Sequence, residues 1–173
     1  MPLTTSILQE FGGDIFIETG TYLGDGCQAA LDNGFKEVHS IEMANEYYLH
    51  SKERFKSEPR VHLYHGNTKT SFQNVIKNIN KQAVFWLDAH MIGQSQDFDH
   101  TTPCPLLEEI THIKSHPIKT HTILIDDMRM MNGHGYNVYI DNIITALKEI
   151  NSNYKIEYRG DDLDPCDILC AYI

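Results

Sequence analysis

Positive charge is in short supply in this sequence. Its 173 residues include 14 Lys and Arg against 24 Asp and Glu, a formal net charge of −10 at pH 7. A broad nucleic-acid footprint needs a basic face, so the expected substrate is small or neutral and no nucleic-acid partner is expected. Long apolar runs are missing as well. Nothing approaches the ~20 residues that cross a bilayer, which leaves no membrane partner to expect. The opening Met-Pro-Leu-Thr-Thr-Ser lacks the basic and apolar regions of a signal peptide, and a cytoplasmic protein is expected. Cysteine is sparse and scattered: Cys27, Cys104, Cys166 and Cys170 show no C-x-x-C spacing, which argues against a disulfide framework and for reduced, mostly buried thiols. Repeats, low-complexity stretches and linkers are absent too, so residues 1–173 are expected to form a single domain with a sizeable core.

What is present is alternation. Apolar runs of strand length exchange with amphipathic stretches of helix length, the pattern of a mainly parallel sheet covered on both faces. The expected strands are Asp14–Glu18, Glu37–Glu42, Val61–His65, Ala83–Asp88, Thr122–Asp126, Tyr154–Tyr158 and Ile168–Tyr172. The expected helices are Thr5–Phe11, Gly26–Asn33, Ala44–Phe55, Lys69–Ile79, Pro105–Ser115 and Val138–Ile150. Two connections, Met91–Cys104 and Met128–Asn137, are longer than linking requires. Both leave the carboxyl end of the sheet, where ligands of open α/β folds bind.

At the first strand-to-helix junction Ile15-Phe16-Ile17 runs into Glu-Thr-Gly-Thr-Tyr-Leu-Gly-Asp-Gly, residues 18–26. Gly20, Gly24 and Gly26 can take positive φ and let the backbone approach a ligand, beside unpaired amides of the following helix. The spacing is G-x-x-x-G-x-G, whereas a dinucleotide fingerprint needs a glycine where Tyr22 stands. Glu18 would repel a pyrophosphate and attract an ammonium group. The combination points to S-adenosylmethionine, which carries ammonium and sulfonium charge and no phosphate.

The remaining strand ends carry polar groups that parallel strands would bring to one rim. Glu42 stands where an acidic side chain can accept both ribose hydroxyls; Met43 could pack on the adenine face, and Asn67 could meet the adenine edge or cap the next helix. Asp88, Asp126 and Asp127 end neighbouring strands about 4.8 Å apart. Carboxylates that close raise one another's pKa unless a cation lies between them, and an all-oxygen set suits Mg²⁺ or Mn²⁺, with Ca²⁺ possible. The competing reading pairs Asp126 or Asp127 with Arg129 and needs no metal. His90, two residues past Asp88, could take a proton from a metal-activated hydroxyl. A zinc set of His90, His100 and Cys104 matches no usual spacing.

Taken in order, Glu-Thr-Gly-Thr-Tyr-Leu-Gly-Asp-Gly, Ser-Ile-Glu (40–42), His-Gly-Asn (65–67), Trp-Leu-Asp-Ala-His (86–90) and Leu-Ile-Asp-Asp (124–127) resemble class I S-adenosylmethionine-dependent methyltransferases. More narrowly they resemble the metal-dependent, macrocin-type sugar O-methyltransferases, with catechol O-methyltransferase a more distant relative. The resemblance covers almost the whole chain. It implies a Rossmann-like fold of seven mostly parallel strands with the last one antiparallel. It also implies a cofactor site of Glu18, Thr19, Gly20, Thr21, Tyr22, Gly24, Glu42, Met43, Asn67 and Asp88, metal ligands Asp88, Asp126 and Asp127, and catalytic roles for Asp88 and His90. The acceptor implied is a sugar or glycan with adjacent hydroxyls, framed by Gly93–Thr102 and Gly133–Asn137 through Gln94, Gln96, Asp97, Phe98, His134 and Tyr136. Tyr22 departs from the middle glycine of the common methyltransferase loop, and the chain is shorter than these relatives. The alternatives are methylation of a catechol or another polyhydroxylated small molecule, a nucleotide-dependent oxidoreductase, and a non-catalytic S-adenosylmethionine-binding protein. A homodimer is the assembly to test for.

Overall fold

The computed structural model describes residues 3–90, 104–160 and 165–173. Along the chain run α1 (Thr5–Glu10), β1 (Ile15–Thr19), α2 (Asp25–Asp32), β2 (Glu37–Glu42), α3 (Asn45–Arg54), β3 (Val61–His65), α4 (Thr68–Ile76), β4 (Val84–Leu87), α5 (Leu106–Ser115), β5 (Thr122–Ile125), a 3₁₀ turn (Met128–Met130), α6 (Ile140–Ile150), β6 (Lys155–Arg159) and β7 (Ile168–Tyr172). Every expected strand and helix is present, with ends displaced by at most three residues. Residues 91–103, and with them Gly93, Gln94, Gln96, Asp97, Phe98 and His100 of the expected acceptor loop, lie outside the described residues.

The seven strands form one sheet in the order β3-β2-β1-β4-β5-β7-β6. All neighbouring pairs are parallel except β5–β7 and β6–β7, so only β7 runs backwards, as expected. Because strand side chains alternate, each strand feeds two cores. Ile15, Ile17, Phe85, Ile123 and Ile125 pack with residues of α4, α5 and α6. Phe16, Val38, Val84, Trp86 and Leu124 pack with α1, α2 and Phe55. Burial on both faces is why β1, β4 and β5 read as unbroken apolar runs.

Helices obey the same logic. In α6 the buried residues Ile143, Leu147 and Ile150 fall on one stripe, and covering each contributes roughly 1.5–3 kcal/mol. Asn67 starts α4 by accepting the Lys69 amide on its side chain at 2.9 Å, a cap worth about 1 kcal/mol. No helix among the described residues is long and apolar enough to cross a membrane. All four cysteines are free, and all but Cys166 are buried.

At the amino end of the sheet two buried histidines form a relay that satisfies every ring nitrogen. The Ala83 amide donates to His121 Nδ1 at 3.1 Å, so the His121 proton is on Nε2, which lies 2.9 Å from His116 Nδ1. His116 Nε2 then donates to the Ile79 carbonyl at 3.1 Å. The pattern requires His121 to be neutral. Burial, with His116 nearby, holds its pKa down at about 4. An unfolded histidine titrates near 6.5, so between those values the unfolded chain gains a proton that the folded one refuses. Stability therefore falls as pH drops from about 6.5 to 4 and is fully present above that window. Urea unfolding at pH 7 and pH 4.5 is expected to show wild type losing on the order of 3 kcal/mol more than His121→Gln over that interval; equal losses would remove the relay from the account.

Candidate active site

Parallel register builds this site. Thr19 is paired with Ile41 and with Leu87, and Leu87 with Ile125. The ladder continues one step further: Gly20 N donates to Ile41 O at 2.9 Å, Asp88 N to Thr19 O at 3.2 Å and Asp126 N to Leu87 O at 3.2 Å. Glu42, Gly20, Asp88 and Asp126 consequently stand in one row across β2, β1, β4 and β5. The strand order reverses direction between β1 and β4, the switch point where open α/β sheets receive ligands.

On the β1 side the loop is packed from within. A side chain on Gly20 would place its Cβ 2.6 Å from the Asp88 carbonyl oxygen, at φ +85, and one on Gly26 would lie 1.8 Å from Glu18 Oε1. The chain's own close contacts are sufficient reason for glycine at both positions, and Gly26 does not take the positive φ expected of it. Glu18 is 2 % exposed and accepts hydrogen bonds from Ser40 Oγ at 2.6 Å and Cys27 Sγ at 3.1 Å. Burial pushes its pKa up to about 8. Thr21 extends that network, 2.6 Å from Ser40 Oγ.

Tyr22 keeps a glycine's conformation without being one, at φ 48. Its amide donates to Glu42 Oε2 at 2.8 Å, and its ring packs edge-on against Tyr47 at 4.6 Å. Glu42 Oε1 accepts the Ala44 amide at 2.7 Å, so this carboxylate fixes both the loop and the start of α3 while each oxygen retains a lone pair. Gly24, at φ 85, precedes α2, and no side chain caps that helix. Its first amides suit a carboxylate such as that of a methionine moiety. Asn67 serves as the α4 cap through Oδ1, the alternative that its sequence position left open, and the His65 ring is turned to the Met43 carbonyl at 3.1 Å.

On the β4–β5 side the acids gather around two cations. His90 Nε2 lies 2.7 Å from Asp127 Oδ2 and Nδ1 lies 2.9 Å from Asp88 Oδ1. Arg129 Nη2 is 2.5 Å from Asp127 Oδ1, and the same guanidinium pairs with Asp167. Two clusters bring their ligand atoms within 4.8 Å of one another: Asp88, His90 and Asp127, and Asp126, Asp127 and Asp167. The expected set of Asp88, Asp126 and Asp127 is thus divided between two overlapping groups that share Asp127. Asp127 itself is held at φ 58, a left-handed conformation that stores strain for a residue other than glycine.

Electrostatics follow from that crowding. Burial, and then Asp88, raise Asp126 to about 6. Burial also disfavours ionised Asp127, but His90 and Arg129 overcome it and hold the carboxyl well below the usual range. Burial likewise opposes charge on His90, and contacts with Asp127 and Asp88 reverse it, raising the ring to about 9. In this arrangement His90 is an imidazolium, not a base. Asp88 Oδ1 is buried without a well-aligned hydrogen bond. Neighbouring carboxylates, one of them with a poorly aligned oxygen, are the donor type of a hard divalent cation.

Two acids here escaped sequence reasoning. Asp167 is fully buried and accepts the Arg129 amide at 3.1 Å; the reversed β7 brings its first residues to the rim, and that direction was the available signal. Glu109, 1 % exposed, reads as one of the acids of an amphipathic helix, and nothing local marks it. Burial pushes it to about 8. Its Oε2 accepts from Thr19 Oγ1 at 3.3 Å, and that hydroxyl accepts the Asp88 amide at 3.3 Å. Asp88, His90, Cys104, Glu109 and Asp126 line a small recess of about 10 Å³, room for about one water molecule. Tyr136, expected to frame an acceptor, is buried against His90 with ring centroids 5.4 Å apart, while His134 is exposed.

The sequence matches no protein-family model and no curated protein. Solved structures do match. An O-methyltransferase from Bacillus cereus in complex with SAH aligns over 98% of this chain and 78% of its own, with a TM-score of 0.64 at 12% identity. The O-methyltransferase TomG from Streptomyces achromogenes, in complex with SAM, aligns over 98% and 77%, with a TM-score of 0.62 at 9% identity. The SAH-bound Podospora anserina methyltransferase PaMTH1 aligns over 97% and 75%, with a TM-score of 0.60 at 12% identity. Likeness at these identities establishes the fold, the Rossmann-like fold of class I methyltransferases.

The packed loop makes a graded prediction. Gly34 has φ +89 with nothing near its missing Cβ, so Gly34→Ala is expected to cost only the left-handed penalty, about 1–2 kcal/mol. Gly20→Ala adds a backbone collision and is expected to cost more in urea denaturation. Similar losses at both sites would show that the Asp88 contact is easily relaxed.

Proposed function

We propose that this chain is an S-adenosylmethionine-dependent O-methyltransferase that uses a divalent cation, Mg²⁺ or Mn²⁺, and acts on a sugar or glycan with adjacent hydroxyls. The observation that carries the reading is the row Glu42, Gly20, Asp88 and Asp126 at the switch point of the sheet. One half of that row offers groups suited to a nucleoside and an amino acid, and the other half is strongly acidic. The solved relatives of the same fold hold SAH or SAM. Preference for a sugar rests on the resemblance of Asp88, His90, Asp126 and Asp127 to the macrocin-type enzymes.

When bound, S-adenosylmethionine supplies an activated methyl group, and the cation supplies the positive charge that makes a hydroxyl more acidic. The chain's part is positional. Glu42 would accept ribose hydroxyls, the uncapped amides of α2 a carboxylate, and Asp88, Asp126 and Asp127 would hold the ion. The acceptor would sit beside them, with its oxygen in line with the methyl group. His90 is the group in reach that can take the acceptor's proton, and it does so from its neutral form, which requires its contacts with Asp88 and Asp127 to open.

One observation favours a second reading. His90 and Arg129 already engage Asp127, which suits methyl transfer that needs no metal. The two readings separate under chelation. Calorimetry is expected to give saturable binding of S-adenosylmethionine and none of NAD; absence of the former would end both. With labelled methyl donor and a panel of sugars, exhaustive chelation or Asp126→Ala is expected to lower turnover on the order of 100-fold while donor affinity stays within about threefold. Turnover indifferent to both treatments selects the metal-free reading.

A further inference from the structure

A second group of metal-competent side chains lies outside the row of strand ends, on β2 and the edge strand β3. Glu37 and His39 are two residues apart on β2 and therefore share a face. Register sets His62 opposite His39 and Tyr64 opposite Ile41, which puts His62 and Tyr64 on that same face. The sequence presents this as Glu-Val-His and His-Leu-Tyr, unremarked among ten histidines.

Their geometry is specific. His39 Nε2 lies 2.9 Å from Glu37 Oε1 and His39 Nδ1 lies 3.0 Å from the Tyr64 hydroxyl. The His39 and His62 rings stack at 4.9 Å. One ligand atom from each of Glu37, His39 and His62 falls within 4.8 Å of the others. Ligands of one tetrahedral ion at about 2.1 Å stand roughly 3.4 Å apart, so closure needs a movement of about 1 Å. The half-exposed Glu37 and the exposed His62 can supply it, while His39 stays fixed at 6 % exposure.

We propose that Glu37, His39 and His62 form a binding site for a borderline transition-metal dication, Zn²⁺ by preference, separate from the acidic rim. Two imidazoles and one carboxylate are the ligands of zinc, copper or nickel, whereas Mg²⁺ and Mn²⁺ seek oxygen. Tyr64 holds the ring in place from behind, as outer partners of metal-bound histidines do. On binding, the His39 proton shifts from Nε2 to Nδ1, where it is donated to the Tyr64 oxygen, and the Nε2 lone pair takes the ion; no net proton is lost from the ring. Burial keeps His39 below the usual histidine range despite Glu37, so the ring is a neutral ligand at pH 7. Solvent at His62 provides the fourth ligand, water. Glu37 and Glu42 are five residues apart on one strand, roughly 16 Å, so this ion and one on the acidic rim would not compete for ligands. Its structural effect is to tie the edge strand to its neighbour, and it stabilises the folded chain by mass action.

The test uses the full chain in excess Mg²⁺, with Co²⁺ as optical probe and Zn²⁺ in thermal shift. Wild type and Asp126→Ala are expected to bind Zn²⁺ saturably with a raised Tm, and Co²⁺ is expected to give visible bands. His62→Ala and Glu37→Gln, both at surface positions, are expected to lose the Tm shift and the bands, with affinity at least tenfold weaker. Binding that survives both substitutions, binding lost instead in Asp126→Ala, or no saturable binding below about 100 µM Zn²⁺ would each overturn the proposal.

Discussion

Four parallel strands end level with one another only when their ladder is in register to the last residue, and here the ladder runs one residue past β1, β4 and β5 to meet the last residue of β2. A shift of one position in β4 would turn Asp88 to the other face and bring Leu87 to the row. The amide bonds Gly20 to Ile41, Asp88 to Thr19 and Asp126 to Leu87 therefore do more than extend the sheet: they fix which side chains meet. The two apolar cores enforce that register, because a slip in β1 or β4 would move Ile17 or Phe85 out of the core it fits and into the opposite one.

The acidic end of the row is costly to assemble. Buried carboxylates lose hydration that a neighbour's charge must replace, and in this chain the replacement is internal, from His90 and Arg129. Arg129 pairs with both Asp127 and Asp167. His90 spans Asp88 and Asp127. Both cations meet at Asp127, which like Tyr22 holds a left-handed backbone. The strain and the charge pairing thus coincide there, at a carboxylate with a donor on each oxygen.

Much of this was legible in the sequence. Ile15-Phe16-Ile17, Val84-Phe85-Trp86-Leu87 and Thr122-Ile123-Leu124-Ile125 read as buried strands because continuous apolar runs of that length suit a covered sheet, and the polar residues that follow them had to share an edge. The glycine loop was legible as a loop but not in its cause. A motif reports which positions tolerate no side chain, and it is silent on whether a ligand or another part of the chain fills the space; for Gly20 and Gly26 the chain does. Glu109 and Asp167 were not legible because their burial depends on helix docking and on the return of β7. Nor could His116 and His121 be told from surface histidines until Ala83 and Ile79 supplied their partners.

The reversal of β7 has a practical consequence. Its first residue, Ile168, is next to the acids, and the strand carries the chain away from them, so Ile173, 53 % exposed, emerges at the opposite pole of the sheet. A tether, label or fused partner attached there hangs from the underside of the molecule. Immobilised through Ile173, the protein presents its acidic strand ends outward to whatever flows past.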